Sequence, residues 1–223
     1  MAAAVVVQTS QDPSAGFDSQ YGVVTAGETQ AHSVSAGPNS LLVVSPYTSP
    51  PHLLDLNGYS TASQLFAKAL TIFQPTRADY ATADYVESFN FTEVIGALKA
   101  LAKAEGHTWQ KTEFYVVSFR SQLSSDADPV RLFELDSFSH EEAMTSGGLL
   151  KYWYGVKNQD RRNLATCFWE SRQHARDGGR GPWHAKARTA AGIWYESIVF
   201  KTYTLTIEDD LDDWNIKDFE EGR

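Results

Sequence analysis

LLKYWYGVKNQDRRNLATCFWESRQHARDGGRGPWH, residues 149–184, contains two aromatic and β-branched runs joined by a polar turn. Residues 149–154 and 164–170 therefore read as two strands of one antiparallel hairpin. Residues 171–177 follow as a short helical turn stopped by Gly178 and Gly179. Pro182 suits the first position of a helix running to about Tyr195. The small face of that helix, Ala187, Ala190 and Ala191, suits close packing on a sheet.

Working outward, residues 114–119 (FYVVSF) make a strand before the hairpin. Between them, Ser139 and Glu142 have capping-box spacing, and Gly147-Gly148 ends the helix they would start. Residues 198–207 form a last strand, with Val199, Tyr203, Leu205 and Ile207 on one side. The order βαββαβ over residues 111–208 is that of a ferredoxin-like α+β sandwich. Its strands FYVVSF, LLKYWY and LATCFW are apolar on both parities, so both faces of the sheet must be covered. Two helices of the unit cover one face. The other needs either the N-terminal helices or a second subunit.

Upstream, residues 1–40 are rich in Ser, Gly, Thr, Gln and Ala, contain no Lys or Arg, and read as a disordered or loose arm. Residues 41–110 read as a helical extension packed on the core. Ser60 or Thr61 caps one helix, which carries Leu65, Phe66, Ala69, Leu70 and Phe73 and ends at Pro75. Thr92 caps a second, which carries Val94, Ile95, Leu98 and Leu101 and ends at Gly106. Residues 209–223 read as an acidic, solvated tail that Trp214, Ile216 and Phe219 could dock.

Net charge is −9, and eight of the acids fall between Glu208 and the end of the chain, against Lys217 and Arg223. The nearly neutral body gives no basic surface for nucleic acid. No run approaches the roughly 18 apolar residues of a membrane helix. The first Lys or Arg is Lys68, which argues against a secretory signal or transit peptide. The single cysteine, Cys167, excludes an intramolecular disulfide and points to a reducing, cytoplasmic setting.

The blocks HEEAMTSGGLLKYWYG, RNLATCFWESRQHARDGG and GPWHAKARTAA, with TRADYATADYVESFNFTEVIGAL upstream, resemble an uncharacterised fungal protein family with a dimeric α+β-barrel (ferredoxin-like) fold. The resemblance implies that fold, a homodimeric arrangement and a fungal origin, and it brings no catalytic residues with it. Haem on His174 or His184 is a minor alternative that the fold superfamily suggests; the reading otherwise expects no cofactor.

On the hairpin, Tyr152, Tyr154 and Phe168 are expected on one face and Trp153 and Trp169 on the other. Arg172, His174, Arg176 and His184 make a polar cluster beside the glycine-rich bend. The backbone N–H groups after Gly181 would favour a carboxylate or enolate oxygen. His184, His174 and Arg172 are the candidate catalytic residues, with His184 as general acid and base. Lys151, Trp153, Trp169 and Trp194 are the candidate ligand-binding residues. No metal site is expected, because His140, Glu141 and Glu142 are adjacent on a helix and point apart. Cys167, mid-strand between Thr166 and Phe168, reads as a small buried hydrophobe. The sequence carries no G-x-S-x-G, P-loop or HExxH motif. It thus reads as a small-molecule-binding protein, with a cofactor-independent tailoring step on an aromatic or polyketide-like compound: cyclisation, proton transfer or oxygenation. The alternative is a non-catalytic dimeric structural or interaction protein.

Overall fold

The structure, a computed structural model, describes residues 41–221; the expected N-terminal arm lies outside the described residues. Two short strands, Leu41–Leu42 (β1) and Leu54–Asp55 (β2), pair ahead of helices Thr61–Ala69 (α1) and Phe91–Ala104 (α2). Then come Thr112–Leu123 (β3), Pro129–Ser146 (α3), Leu149–Tyr154 (β4) and Arg162–Trp169 (β5). Arg172–Gly178 (α4), Pro182–Trp194 (α5), Tyr195–Ile207 (β6) and Trp214–Asp218 (β7) complete the chain. The main sheet runs β4-β5-β3-β6-β7, with every neighbouring pair antiparallel. Its first four strands, with α3 and the α4–α5 pair as crossovers, form the ferredoxin-like βαββαβ unit.

Several local readings are corrected. α3 starts ten residues before Ser139, because Asp128 accepts from the Val130 and Arg131 N–H groups and Pro129 follows it at the first helical position. Ser139 and Glu142 therefore lie inside the helix and form no capping box. Asn90 occupies the N-cap position of α2, and Thr92 is the second residue of the helix. The acidic C-terminal segment is not wholly solvated: β7 pairs with the second half of β6, and Trp214 and Ile216 join the core. Ser60 does cap α1, accepting from the Ser63 N–H, and Gly106 ends α2 with a φ of +63°.

The two faces of the sheet have different covers. Phe114, Val116, Leu164, Phe168, Leu205 and Ile207 face α1 and α2 in one large cluster. Phe66 of α1 stacks on Phe114 at 4.3 Å, and Tyr85, from the loop before α2, stacks on Tyr203 at 4.8 Å. The N-terminal extension thus fills the face that could otherwise have needed a second subunit. Val117, Phe119, Tyr152, Cys167 and Trp169 form the opposite face, under α3, α4 and α5.

Cross-strand register corrects the hairpin. Lys151 pairs with Phe168 and Tyr152 with Cys167, and a bulge intervenes between Leu149 and Lys151. Directly paired residues share a face. Tyr152, Tyr154 and Trp169 therefore lie on the α3–α5 face, while Phe168 and Trp153 lie on the α1–α2 face. The sequence pattern alone leaves this register open, since both parities are aromatic.

Candidate active site

A cavity of about 240 Å³ opens between the sheet and helices α3–α5. Its floor is apolar, with Val117, Phe119, Leu149 and Cys167 from the sheet. Tyr152, Trp169, His140 and His184 bring polar atoms into it, and Arg176 and Arg188, both exposed, stand at its mouth. An apolar concavity with a few convergent polar groups is the usual form of a small-molecule site.

Each polar group has a local reason for its position. α3 turns Leu132, Leu135, Asp136, Ser139, His140 and Ala143 inward at helical spacing. That stripe places a buried imidazole and a buried carboxyl among core residues. The His140 Nε2 and Trp169 Nε1 atoms are buried without a hydrogen-bond partner. A buried polar group left unpaired costs about 1–3 kcal/mol, and both residues belong to the lining of the cavity.

His184 is held by Glu142. The carboxylate accepts from the Trp183 N–H at 2.7 Å and the His184 N–H at 3.0 Å, and lies 2.9 Å from His184 Nδ1. The α5 N-terminus, expected to be open to a substrate anion, is thus already occupied by the chain's own carboxylate. Gly181 permits the approach, since a Cβ there would lie 2.2 Å from the Glu142 carboxyl carbon. Burial raises the Glu142 carboxyl, but the two N–H groups and the imidazole outweigh it and hold the group below its ordinary value. Burial lowers His184 to about 4 despite that neighbour, and lowers His140, which also faces the His52 and His184 rings, to about 3. Both imidazoles are therefore neutral near pH 7 and can accept a proton or hydrogen bond.

Behind the cavity lies a polar cluster. Asp136, 1% exposed, accepts from the Tyr47 and Tyr152 hydroxyls at 2.6 Å each. Burial pushes its carboxyl up to about 7, against the pull of the two hydroxyls. Burial likewise raises the Tyr47, Tyr152 and Tyr154 hydroxyls, with Asp136 adding to the effect. Tyr47 and His52 come from the loop between β1 and β2, which reaches past the β4 edge: the Val44 carbonyl accepts from the Tyr152 N–H at 2.8 Å.

Among the residues expected from sequence, His184 and Trp169 line this cavity together. The rest are elsewhere. His174 sits against Gly148, whose Cβ would fall 2.3 Å from its ring, and its Nδ1 lies 3.0 Å from the Ser171 hydroxyl. Arg172 pairs with Glu221 and lies over the Phe219 ring. Trp153 packs edge-on against Phe73 and Phe89 under the N-terminal helices. Trp194 packs beside Leu123 and Leu132 at the far end of β6. Lys151 is buried with Phe168 and Trp153 on the α1–α2 face, where burial lowers its amine to about 8. Cys167 lines the cavity, but burial pushes its thiol up to about 12, far from a thiolate nucleophile.

A haem does not fit these residues. His174 is outside the cavity. The volume is also below the roughly 300–1,000 Å³ of sites for drug-sized ligands, and a porphyrin is larger still. Among the described residues, no group of three His, Cys, Asp or Glu is placed to hold a metal ion. No helix among them is long and apolar enough to cross a membrane.

Residues 43–218 match the PB2B2.08-like family. The chain belongs to that family. The fungal UPF0643 protein PB2B2.08 of Schizosaccharomyces pombe is 34% identical over 170 residues, which cover 73% of this chain and 77% of the relative. Solved structures are more distant. Rv0793 of Mycobacterium tuberculosis aligns over 40% of this chain and 91% of its own, at 14% identity and a TM-score of 0.36. SnoaB, a cofactor-independent oxygenase from Streptomyces nogalater, aligns over 41% and 90%, at 11% identity and a TM-score of 0.34. The ferredoxin-like assignment rests on the strand order of this chain itself.

Proposed function

We propose that the α3–α5 cavity binds one small organic molecule, of aromatic or polyketide-like character, and that the chain carries out a cofactor-independent tailoring step on it. The observation that carries this reading is the apolar cavity itself, into whose lining Tyr152, Trp169, His140 and His184 bring the few polar side chains. Tyr152, Trp169 and Phe119 offer ring faces to a flat ligand. Arg176 and Arg188 at the mouth favour an anionic substituent. His184, held by Glu142, is the proton acceptor on this reading, so a proton transfer that starts a cyclisation fits best; in an oxygenation, dioxygen would be the co-substrate. The volume suits a ligand of one or two rings. A single buried cysteine fits action in a reducing, cytoplasmic compartment.

Thermal melting with a panel of phenols, aromatic acids and small polyketide fragments tests this. A ligand at 100 times its Kd adds about 2.7 kcal/mol to stability by mass action. Ala143→Phe, which fills the cavity from α3, is expected to abolish that shift. Failure of every compound class to raise the melting temperature contradicts the reading.

A second reading, a non-catalytic interaction protein, is favoured by one exposed apolar row. Ile193, Ile198, Val199 and Phe200 are 66%, 37%, 51% and 48% exposed around the part of β6 that β7 leaves unpaired. This row, and not the face covered by α1 and α2, would be the contact between two copies. Light scattering is then expected to show a dimer that Val199→Lys dissociates; a monomer at all concentrations removes this form of the reading.

A further inference from the structure

Glu142 does more than close the end of α5. Its Oε1 accepts from the Trp183 N–H, and its Oε2 accepts from the His184 N–H and lies 2.9 Å from His184 Nδ1. It also lines a second groove, with Phe138, Gly181 and Trp183, and its side chain is 16% exposed, so water reaches the carboxylate. With two N–H groups donating to it and water beside it, the group is ionised near pH 7. An ionised carboxylate only accepts, so the contact to Nδ1 is a hydrogen bond only when Nδ1 carries a proton. A neutral imidazole has a single N–H. With that proton on Nδ1, Nε2 keeps its lone pair.

We infer that Glu142 is a positioning residue that fixes His184 in the Nδ1–H tautomer and thereby makes Nε2 the nitrogen that takes a proton from a ligand in the α3–α5 cavity. The direction of Nε2 follows from the ring. His184 belongs to the cavity lining and Glu142 lies outside it. The two nitrogens of an imidazole point nearly opposite ways, so with Nδ1 turned to Glu142, Nε2 is turned away from it. Of the two histidines on the lining, His140 has its Nε2 closed off without a partner, and His184 does not. In the transfer, an acidic O–H or C–H bond of the ligand breaks, its electron pair stays on the ligand, and Nε2 holds the proton. The imidazolium so formed lies against the Glu142 carboxylate, which stabilises it. Backbone geometry keeps the pair together. Glu142 is inside α3, His184 is in the first turn of α5, and only a glycine at 181 admits the carboxylate, whose carbon would lie 2.2 Å from a Cβ there.

This inference rests on the cavity being a ligand site, yet its first test needs no ligand. Nitrogen-15 NMR of histidine-labelled protein, with His184 assigned through His184→Asn, reads the tautomer in the free protein. Near pH 7 Nδ1 is expected to be protonated and Nε2 bare, with the other form below about a tenth, since a hydrogen bond to a charged group favours one tautomer at least about ten-fold. Glu142→Ala is expected to bring the Nε2–H form up to a comparable share. Gly181→Ala, which displaces the carboxylate and leaves both side chains of the pair in the chain, is expected to do the same. A protonated Nε2 in the unaltered protein overturns the inference without any variant having to fold, and a tautomer indifferent to both substitutions overturns it too. Phenol then separates the two claims. Phenol that raises the melting temperature is expected to shift the His184 Nε2 resonance, and to shift it less in Glu142→Ala. Binding of phenol with Nε2 unmoved overturns the inference, whereas no binding by phenol or any other compound of the panel, with the Nδ1–H tautomer in place, counts against the cavity reading alone.

Discussion

Phe168→Ala is expected to destabilise the protein by about 3–5 kcal/mol, the usual cost of removing a buried aromatic ring. Phe168 has no exposed surface and sits at the centre of the α1–α2 face of the sheet. Its ring meets Phe73 edge-on at 5.0 Å, and Phe66 and Phe91 each at 6.2 Å. Those three partners come from α1, the turn after it and the start of α2. The substitution therefore removes the ring that joins the N-terminal extension to the sheet, and the surrounding aromatics cannot collapse into the gap without leaving their own contacts. Urea unfolding measures the loss. Because extension and sheet share one cluster, unaltered protein should unfold in a single transition. A loss below about 1 kcal/mol, or two separate transitions in the unaltered protein, would show that α1 and α2 are not seated on this face.

The second large effect concerns pH. The Asp136 carboxyl has a folded value of about 7 against an ordinary 3.8, raised by burial. A raised folded value means that the stability contribution is complete below the unfolded value and is lost as pH rises through the folded one. Between about pH 4 and pH 7 the unfolded chain has released this proton and the folded chain has kept it, so stability falls with rising pH. At about 1.4 kcal/mol per pH unit, the swing is up to about 4 kcal/mol. Asp136→Asn removes it while still offering a carbonyl to one tyrosine and an amide to the other. The variant should gain on the unaltered protein between pH 4.5 and pH 7.5 in paired urea titrations. His140 and His184, with lowered values, act in the opposite direction in both proteins, losing their contribution as pH falls below about 6.5, and so cancel in the difference. A difference independent of pH would show that Asp136 is not a buried acid held between two hydroxyls.

The βαββαβ order was legible from residue types, because each strand run is bounded by glycines, prolines or a polar turn. So was the need for two covers on the sheet, which follows from both parities being apolar. Register was not legible. Aromatic residues on both parities fit either pairing, and only the bulge after Leu149 places Tyr152 with Trp169 and Trp153 with Phe168. The site was half legible. His184 stood out beside Pro182 and a glycine-rich bend, but its partner Glu142 was hidden by the misplaced start of α3. A signal existed: with a helix begun at Asp128-Pro129, Asp136 and His140 fall in phase with Leu132, Leu135 and Ala143, two polar groups on a core stripe. Tyr47 and His52 had no such signal, since a loop that reaches 88 residues along the chain to meet His140 leaves no periodic trace.

The most direct test of the central claim, that the cavity beneath α3–α5 is a ligand site, is an NMR titration that follows tryptophan indole N–H and histidine ring resonances as a small phenolic ligand is added. The Trp169 indole and the His140 and His184 rings are expected to move together with one apparent Kd, while Trp153 and Trp194 stay fixed. Movement at Trp153 or Trp194 with Trp169 unmoved, or no movement at any of the three cavity residues with any ligand that binds, would contradict it.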